Sequence, residues 1–359
     1  MNRNLLPRVR WPAAARGLAV AAALVALAAP SRAADIALTE TGSTLMLPLF
    51  DILVPIYVKD HPGVEIKTAG TGSEAGQMQA LSGQVTIGGS DAYMSDAQVR
   101  ANPDFVNIPL AISAQTINYN VPGLNTINLR LDGPTIAGIY KGTIRQWDAP
   151  AIAALNPGVT LPHQTIIPLH RSDGSGDTFV FTQFLSFSTP TWELDKYYGT
   201  SIDWPAVPGG VGVAGNDAME KAIEATPYSI GYLGISYADQ AAAGKIGTAM
   251  LKNEAGQFVL PTTASIIAGA TSLGVRTPAD ERLSLVFAPG DASYPLVNYE
   301  YAVVSTKQPN PEVAAALRRF LLWVILPSEE NADYLERVHF VPLPPHIWEL
   351  SQAQIQLIH

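Results

Sequence analysis

From Asp35 onward the chain repeats one pattern of apolar and polar positions: a short β-rich run, a loop of Gly, Ser and Thr, then an apolar periodicity suited to a helix. Ile36 to Thr39 leads through Thr41-Gly42-Ser43-Thr44 into an apolar segment ending near Lys59. Val64 to Thr68 leads through Gly70-Thr71-Gly72-Ser73 into a helix reaching about Leu81. Val85 to Gly88 opens at Ser90-Asp91 into a polar turn and a further helix. Ile166 to Leu169 leads through Arg171-Ser172-Asp173-Gly174-Ser175-Gly176-Asp177 into a helix carrying Phe179, Phe181 and Phe184. This alternation predicts an α/β fold with substantially parallel sheets. In open α/β sheets the loops at the strand C-termini converge on the ligand crevice, so these four loops are expected on one functional side.

The pattern also suggests where the chain changes domain. Pro122-Gly123 follows the strand-like run Thr116 to Asn120 and forms a natural exit, and Tyr294-Pro295-Leu296-Val297-Asn298 before the β-rich run Tyr301 to Ser305 forms a return. A discontinuous first lobe, 34–120 plus 294–359, is expected with an inserted second lobe, 121–293, and a hinge of two crossings. The helical pattern from Pro311 through Val324 is expected to pack back on the first lobe.

The first 33 residues differ from the rest. Arg3, Arg8 and Arg10 precede an apolar run from Leu18 to Ala29, and Ser31-Arg32-Ala33 offers small residues at −3 and −1, which reads as a secretory signal peptide cleaved after Ala33. A membrane anchor is the poorer reading, because a span needs about 20 apolar residues and Pro30 and Arg32 interrupt this run. With no cysteine anywhere, neither disulfides nor lipidation of an N-terminal cysteine is available, and the expected product is a periplasmic protein that is not a lipoprotein. The six histidines show no paired ligand spacing, so no metal or other cofactor is expected. The whole chain has a formal charge of −9, and loss of the five arginines of the leader takes the mature chain to −14. Such a field disfavours nucleic acid and anionic membranes. It also opposes a small anion, so any anion site must rely on donors at short range.

The loops supply such donors. Each places Ser or Thr where a helix begins, and there several backbone N–H groups lack intrahelical partners and carry partial positive charge, an arrangement that binds oxyanions. Any one of Thr44, Ser73 and Ser175 taken alone is better read as an ordinary N-cap; four Gly-flanked loops in corresponding positions favour a shared ligand. Arg171 can give two parallel N–H bonds to a tetrahedral oxyanion. Asp91 accepts a hydrogen bond from an oxyanion that keeps a proton but faces a fully ionised one with unpaired, repelling charge. The plainer alternatives are a helix cap for Asp91 and a surface ion pair for Arg171.

Gly72-Ser73, Gly89-Ser90-Asp91-Ala92 and Arg171-Ser172-Asp173-Gly174-Ser175-Gly176 closely resemble the phosphate-binding segments of the PstS family, the substrate-binding subunits of bacterial Pst-type phosphate ABC transporters. Supporting stretches include Leu131-Asp132-Gly133, Ile139-Tyr140-Lys141-Gly142 and Gly215-Asn216-Asp217. The resemblance covers essentially the whole mature chain. It implies a type II periplasmic-binding-protein fold of two lobes with central mixed sheets, closing on inorganic phosphate and docking, as a monomer, on the membrane permease subunits of a phosphate ABC transporter. Carried over position by position, it assigns ligand contact to Thr44, Leu45, Ser73, Asp91, Arg171, Ser175 and Gly176. Two positions depart from the common pattern. Asp177 stands where many members have Thr; pointing inward it adds a second acceptor, outward it caps the helix, and the inward placement is expected. Leu45 replaces a commoner aromatic, which matters little if only its backbone N–H reaches the ligand. Other readings are the same fold binding another oxyanion or serving as a phosphate sensor or adhesin, and a serine hydrolase or phosphatase using Ser175 or Ser90 with His170 and Asp173. The hydrolase lacks the G-x-S-x-G elbow, and no enzyme is expected.

Overall fold

The computed structural model describes residues 36–195 and 197–359; the expected signal peptide and its cleavage after Ala33 lie outside the described residues. The strands are β1 (Ile36–Gly42), β2 (Val64–Lys67), β3 (Ile87–Ser90), β4 (Phe105–Asn120), β5 (Arg130–Leu131), β6 (Ile167–Arg171), β7 (Val211–Val213), β8 (Ser229–Gly234), β9 (Gly247–Thr248), β10 (Met250–Lys252), β11 (Phe258–Val259) and β12 (Val297–Ser305). Most join one mixed sheet in the order β2-β1-β3-β12-β4-β8-β6-β7, with β9 beside β4, while β11-β10-β5 form a small separate sheet.

Two parallel triplets make the outer parts of the large sheet. β1 pairs in parallel with β2 and β3, and β6 pairs in parallel with β7 and β8. Between them β12 and β4 run antiparallel to their neighbours. β4 serves both sides: residues up to Ala114 pair with β12, and Gln115 to Asn120 pair with β8. The register places Ser90, at the end of β3, beside Tyr301 and thereby near Pro109 of β4, whereas β8 runs the other way and ends with Gly234 opposite Gln115. The C-terminal ends of the two triplets therefore point at each other across the middle of β4, and the crevice follows from this topology.

The sequence of β4 contains little alternation because almost every residue in it is buried, as expected for a strand covered on both faces. Pro109 interrupts it where the register with β12 shifts between Glu300 and Tyr301, a bulge that accommodates the missing N–H. Helices cover the sheet. Helix Pro311–Val324 starts where Asn310 Oδ1 accepts from the Val313 amide at 2.8 Å, and it buries Leu317, Phe320 and Leu321 beside β1. Each such side chain contributes roughly 1.5–3 kcal/mol. Helix Thr263–Gly274 packs on β12 and β4. The main core is one continuous apolar cluster running from Leu38 and Phe50 through Ile117, Phe181 and Tyr232 to Leu317 and Phe320, so the crevice loops rest on a rigid base.

Candidate functional site

The loops after β1, β3 and β6 meet in one buried cluster. Gly176, at the start of helix Gly176–Ser188, lies against Asp91 and Ser73 so closely that a Cβ there would stand 2.4 Å from Asp91 Oδ2 and 2.5 Å from Ser73 Oγ. Arg171, Ser73, Asp91, Ser175 and Asp177 are all buried. The residues that β1, β3 and β6 deliver from opposite ends of the sheet are thus brought together, as the loop chemistry predicts.

Arg171 is held as a fork. Nε donates to Asp173 Oδ1 at 2.7 Å and one terminal nitrogen to Asp173 Oδ2 at 2.5 Å, while the other reaches Asp177 Oδ2 at 2.5 Å. Its side chain is 1% exposed, as is that of Asp177, so the surface ion pair is replaced by a buried one. Burial alone would lower the Arg171 guanidinium; Asp173 and Asp177 outweigh it and hold the group above its ordinary value. Asp177 points inward: Oδ2 also accepts from Asn216 Nδ2 at 2.8 Å, and Oδ1 is buried without a protein partner. Burial, reinforced by the charge of Asp91 and only partly countered by Arg171, pushes Asp177 up to about 7.

Asp91 is no helix cap. The next helix, Asp96–Ala101, is capped by Ser95, and the Asp91 carboxylate instead collects the hydroxyls of Ser43 on Oδ1 and Ser73 on Oδ2, the latter at 3.3 Å. Ser73 Oγ in turn accepts the Asp91 amide at 3.2 Å. Burial raises Asp91, and bonds from Glu300, Ser43 and Ser73 with the charge of Arg171 oppose the rise.

Of the three hydroxyls weighed as N-caps, one fills that role: Ser175 Oγ accepts from the Thr178 amide at 3.3 Å. Ser73 is the first residue of helix Ser73–Leu81, behind Gly72 whose φ of 91° favours glycine. Thr44 Oγ1 accepts from the Asn216 amide at 3.2 Å and from its side-chain nitrogen at 2.9 Å. The amide of Leu45 donates to Ser43 Oγ at 3.1 Å, and the Leu45 side chain is buried against Gly234. Residues absent from the sequence reading of the site are therefore Ser43, Asn216 and Glu300. Asn216 opens helix Asn216–Ala225 after Gly215, the same Gly-then-helix signal as the other loops. Glu300 stands out in the sequence as a lone carboxylate within the apolar run of β12.

Neither hydrolase serine has a histidine beside it. Ser90 Oγ accepts from Gln77 and donates to the Ala92 carbonyl, Ser175 serves as cap, and His170 Nδ1 lies 3.0 Å from the Arg171 carbonyl with its ring stacked on Trp204. A cavity of about 430 Å³ is lined by Arg171, Asp173, His170 and Trp204 among others. Another, of about 770 Å³, is lined by Glu74, Tyr93, Phe179 and Thr200. What the cluster can do chemically is surround a small tetrahedral anion with a guanidinium, hydroxyls and helix-terminal amides while presenting carboxylates as acceptors.

Comparison with known proteins gives consistent results. The PBP superfamily domain matches residues 27–329. The chain is 32% identical to the phosphate-binding protein PstS of Pasteurella multocida over 317 residues, covering 88% of this chain and 89% of that protein. It is 31% identical to the phosphate-binding protein PstS of Methanocaldococcus jannaschii over 341 residues, covering 90% and 86%. Among solved structures, a high affinity periplasmic phosphate-binding protein bound with phosphate superimposes with a TM-score of 0.69 at 21% identity, covering 89% of this chain and 93% of that one. A phosphate binding protein from Stenotrophomonas maltophilia gives 0.67 at 19% identity, covering 88% and 93%. The architecture is that of the type II periplasmic-binding-protein fold, with mixed sheets as expected.

Proposed function

The chain belongs to the PstS family of phosphate-binding proteins within the PBP superfamily, and on that premise we propose that it captures inorganic phosphate in the buried cluster and delivers it to the permease subunits of an ABC transporter. One observation carries the reading: a forked guanidinium, Arg171, and a carboxylate collecting hydroxyls, Asp91, converge on one site with the N-termini of helices Ser73–Leu81, Gly176–Ser188 and Asn216–Ala225. Arg171, Thr44, Ser73, Ser175 and the amides near Leu45 and Gly176 act as donors. Asp91 and Asp177 act as acceptors for a phosphate that keeps a proton, and their charge rejects sulfate.

Capture proceeds by closure of two lobes, 34–120 with 294–359 against 121–293, rather than by chemistry, and β4 is one of the crossings. The protein works as a monomer outside the cytoplasm, exported by the leader that ends at Ala33. Among the described residues no helix is long and apolar enough to cross a membrane.

The test is calorimetry of unfolded and refolded, ligand-free protein against phosphate and sulfate. Tight phosphate binding with little competition from sulfate is expected. Arg171→Ala should weaken phosphate binding at least about 100-fold, since it removes charge-assisted bonds worth roughly 1.5–3 kcal/mol each. Asp91→Asn should erode discrimination more than phosphate affinity. Equal affinity for the two anions, or turnover of a chromogenic phosphate ester, overturns the reading.

A further inference from the structure

Glu300 on β12 is a carboxyl the ligand reading leaves unused. It is fully buried, and the pairing of Tyr301 with Ser90 sets it opposite Asp91. Its Oε1 accepts from Ser113 Oγ at 2.5 Å and from Asn298 Nδ2 at 2.8 Å, while Oε2 is buried without a conventional donor. The neighbour left to it is the Asp91 side chain, which the strand pairing sets against it. Asp91 therefore has Ser43 and Ser73 on the ligand side and Glu300 behind.

Two carboxyls in contact and sealed from water do not both ionise; they keep a proton between them. Ser113 and Asn298 occupy Oε1 as an acceptor, which leaves Oε2 to carry that proton and direct it at Asp91. We propose that Glu300 is a positioning residue for anion discrimination: as a carboxylic acid it donates to Asp91, so that Asp91 meets the ligand as an ionised acceptor. The inference rests on the phosphate reading above and deepens it.

The surrounding charges agree. Glu300 is faced by Asp91 from the loop after β3, by Ser113 from β4 and by Asn298 from its own strand; beyond Asp91 stand Arg171 of β6, then Asp177 and Asp173, which pair with it. Burial first, and then the charge of Asp91, pushes Glu300 well above the ordinary carboxylate range, whereas the Glu300 bond works to lower Asp91. Without Glu300, Asp91 itself takes up the proton, becomes a donor, and stops rejecting a fully ionised anion.

The experiment compares wild type, Glu300→Gln and Glu300→Leu by calorimetry with phosphate and sulfate from pH 6 to pH 9, each variant first checked by its thermal melt. Glutamine keeps both halves of the hydrogen-bond pattern, with an amide donor toward Asp91, and should preserve the phosphate-to-sulfate affinity ratio within about threefold. Leucine removes the donor and should narrow that ratio about tenfold or more, the size of one charge-assisted bond. Loss of the Glu300 proton would leave two carboxylates facing the anion, so any alkaline fall in the phosphate affinity of the wild type should be shallower in the glutamine variant. A folded Glu300→Gln whose phosphate-to-sulfate ratio narrows about tenfold shows that a donor toward Asp91 is not what sets discrimination, and that result overturns the inference even if the leucine variant does not fold. Unchanged discrimination in a folded Glu300→Leu also overturns it. A wild-type protein that binds neither anion overturns the phosphate reading and this inference with it, whereas tight wild-type phosphate binding with discrimination lost in a folded Glu300→Gln overturns this inference alone.

Discussion

Gly176 has no room for a methyl group, since the neighbours of its absent Cβ are the carboxylate of Asp91 and the hydroxyl of Ser73. Gly176→Ala must push one of these aside, and both belong to the proposed anion site. The expected outcome is at least about a tenfold loss of phosphate affinity with an apparent melting temperature lowered by only a few degrees, as overpacking a closely fitted site costs of order 1–3 kcal/mol; calorimetry and a thermal melt check both. That this glycine matters was legible from the string around Arg171, and so were Asp91, Ser73 and Arg171 itself, because Gly, Ser and charge gathered at strand ends admit close approach of a ligand. Ser43 was harder to single out beside Thr44: a one-residue step along a loop decides which hydroxyl reaches Asp91, and loop spacing carries no phase. Glu300 was invisible as a partner because its role depends on the register of β12 against β3, a pairing across some 210 residues of chain.

At the scale of elements, the two sides of the crevice are fastened by helix Ser73–Leu81. The Glu74 amide donates to the Gly174 carbonyl at 3.0 Å, and Glu74 Oε2 accepts from Thr200 Oγ1 at 3.0 Å and Ser201 Oγ at 2.8 Å. Thr200 and Ser201 follow β6 in the chain, whereas Glu74 precedes β3. Glu74→Ala keeps the backbone bond and loses the two from hydroxyls, of which one is exposed, so a three- to tenfold weaker phosphate affinity is expected, about 0.7–1.4 kcal/mol. Small-angle scattering at saturating phosphate should show a larger radius of gyration than for wild type; identical curves and affinities would remove the fastening role. The strand–loop–helix phrases were readable from sequence because apolar runs, glycines and helix periodicity each have their own period. Helices Ser73–Leu81 and Pro311–Val324 occupy the predicted positions. β4 was read only over Thr116 to Asn120, since a strand buried on both faces shows no alternation and Pro109 reads as a break.

Over the whole molecule, the absence of disulfides leaves stability to the core and to the protonation of buried carboxyls. Burial pushes Glu40 and Glu281 up to about 8 from an ordinary 4.5, and Asp177 up to about 7. Above pH 4.5 the unfolded chain releases protons that the folded one retains, so their contribution is fully present below that pH and is lost as pH rises toward 8. Asp173 acts oppositely: burial would raise it, but Arg171 and the Gly215 amide hold it below its ordinary value, so its contribution is lost as pH falls below about 3.8. The melting temperature of ligand-free protein in buffers without phosphate should therefore be higher at pH 5 than at pH 8; a rise over that interval would contradict these burials. The single strand that pairs with β12 up to Ala114 and with β8 from Gln115 has a mechanical consequence. Sliding the two sides apart would tear one ladder or the other, whereas a twist between Ala114 and Gln115 breaks little more than the bond from the Gln115 amide to the Leu296 carbonyl. Gln115 sits there with its side-chain amide buried and without a protein partner, so under the proposed lobe closure a substitution at this position is expected to change how often the anion departs while leaving the proposed anion ligands in place.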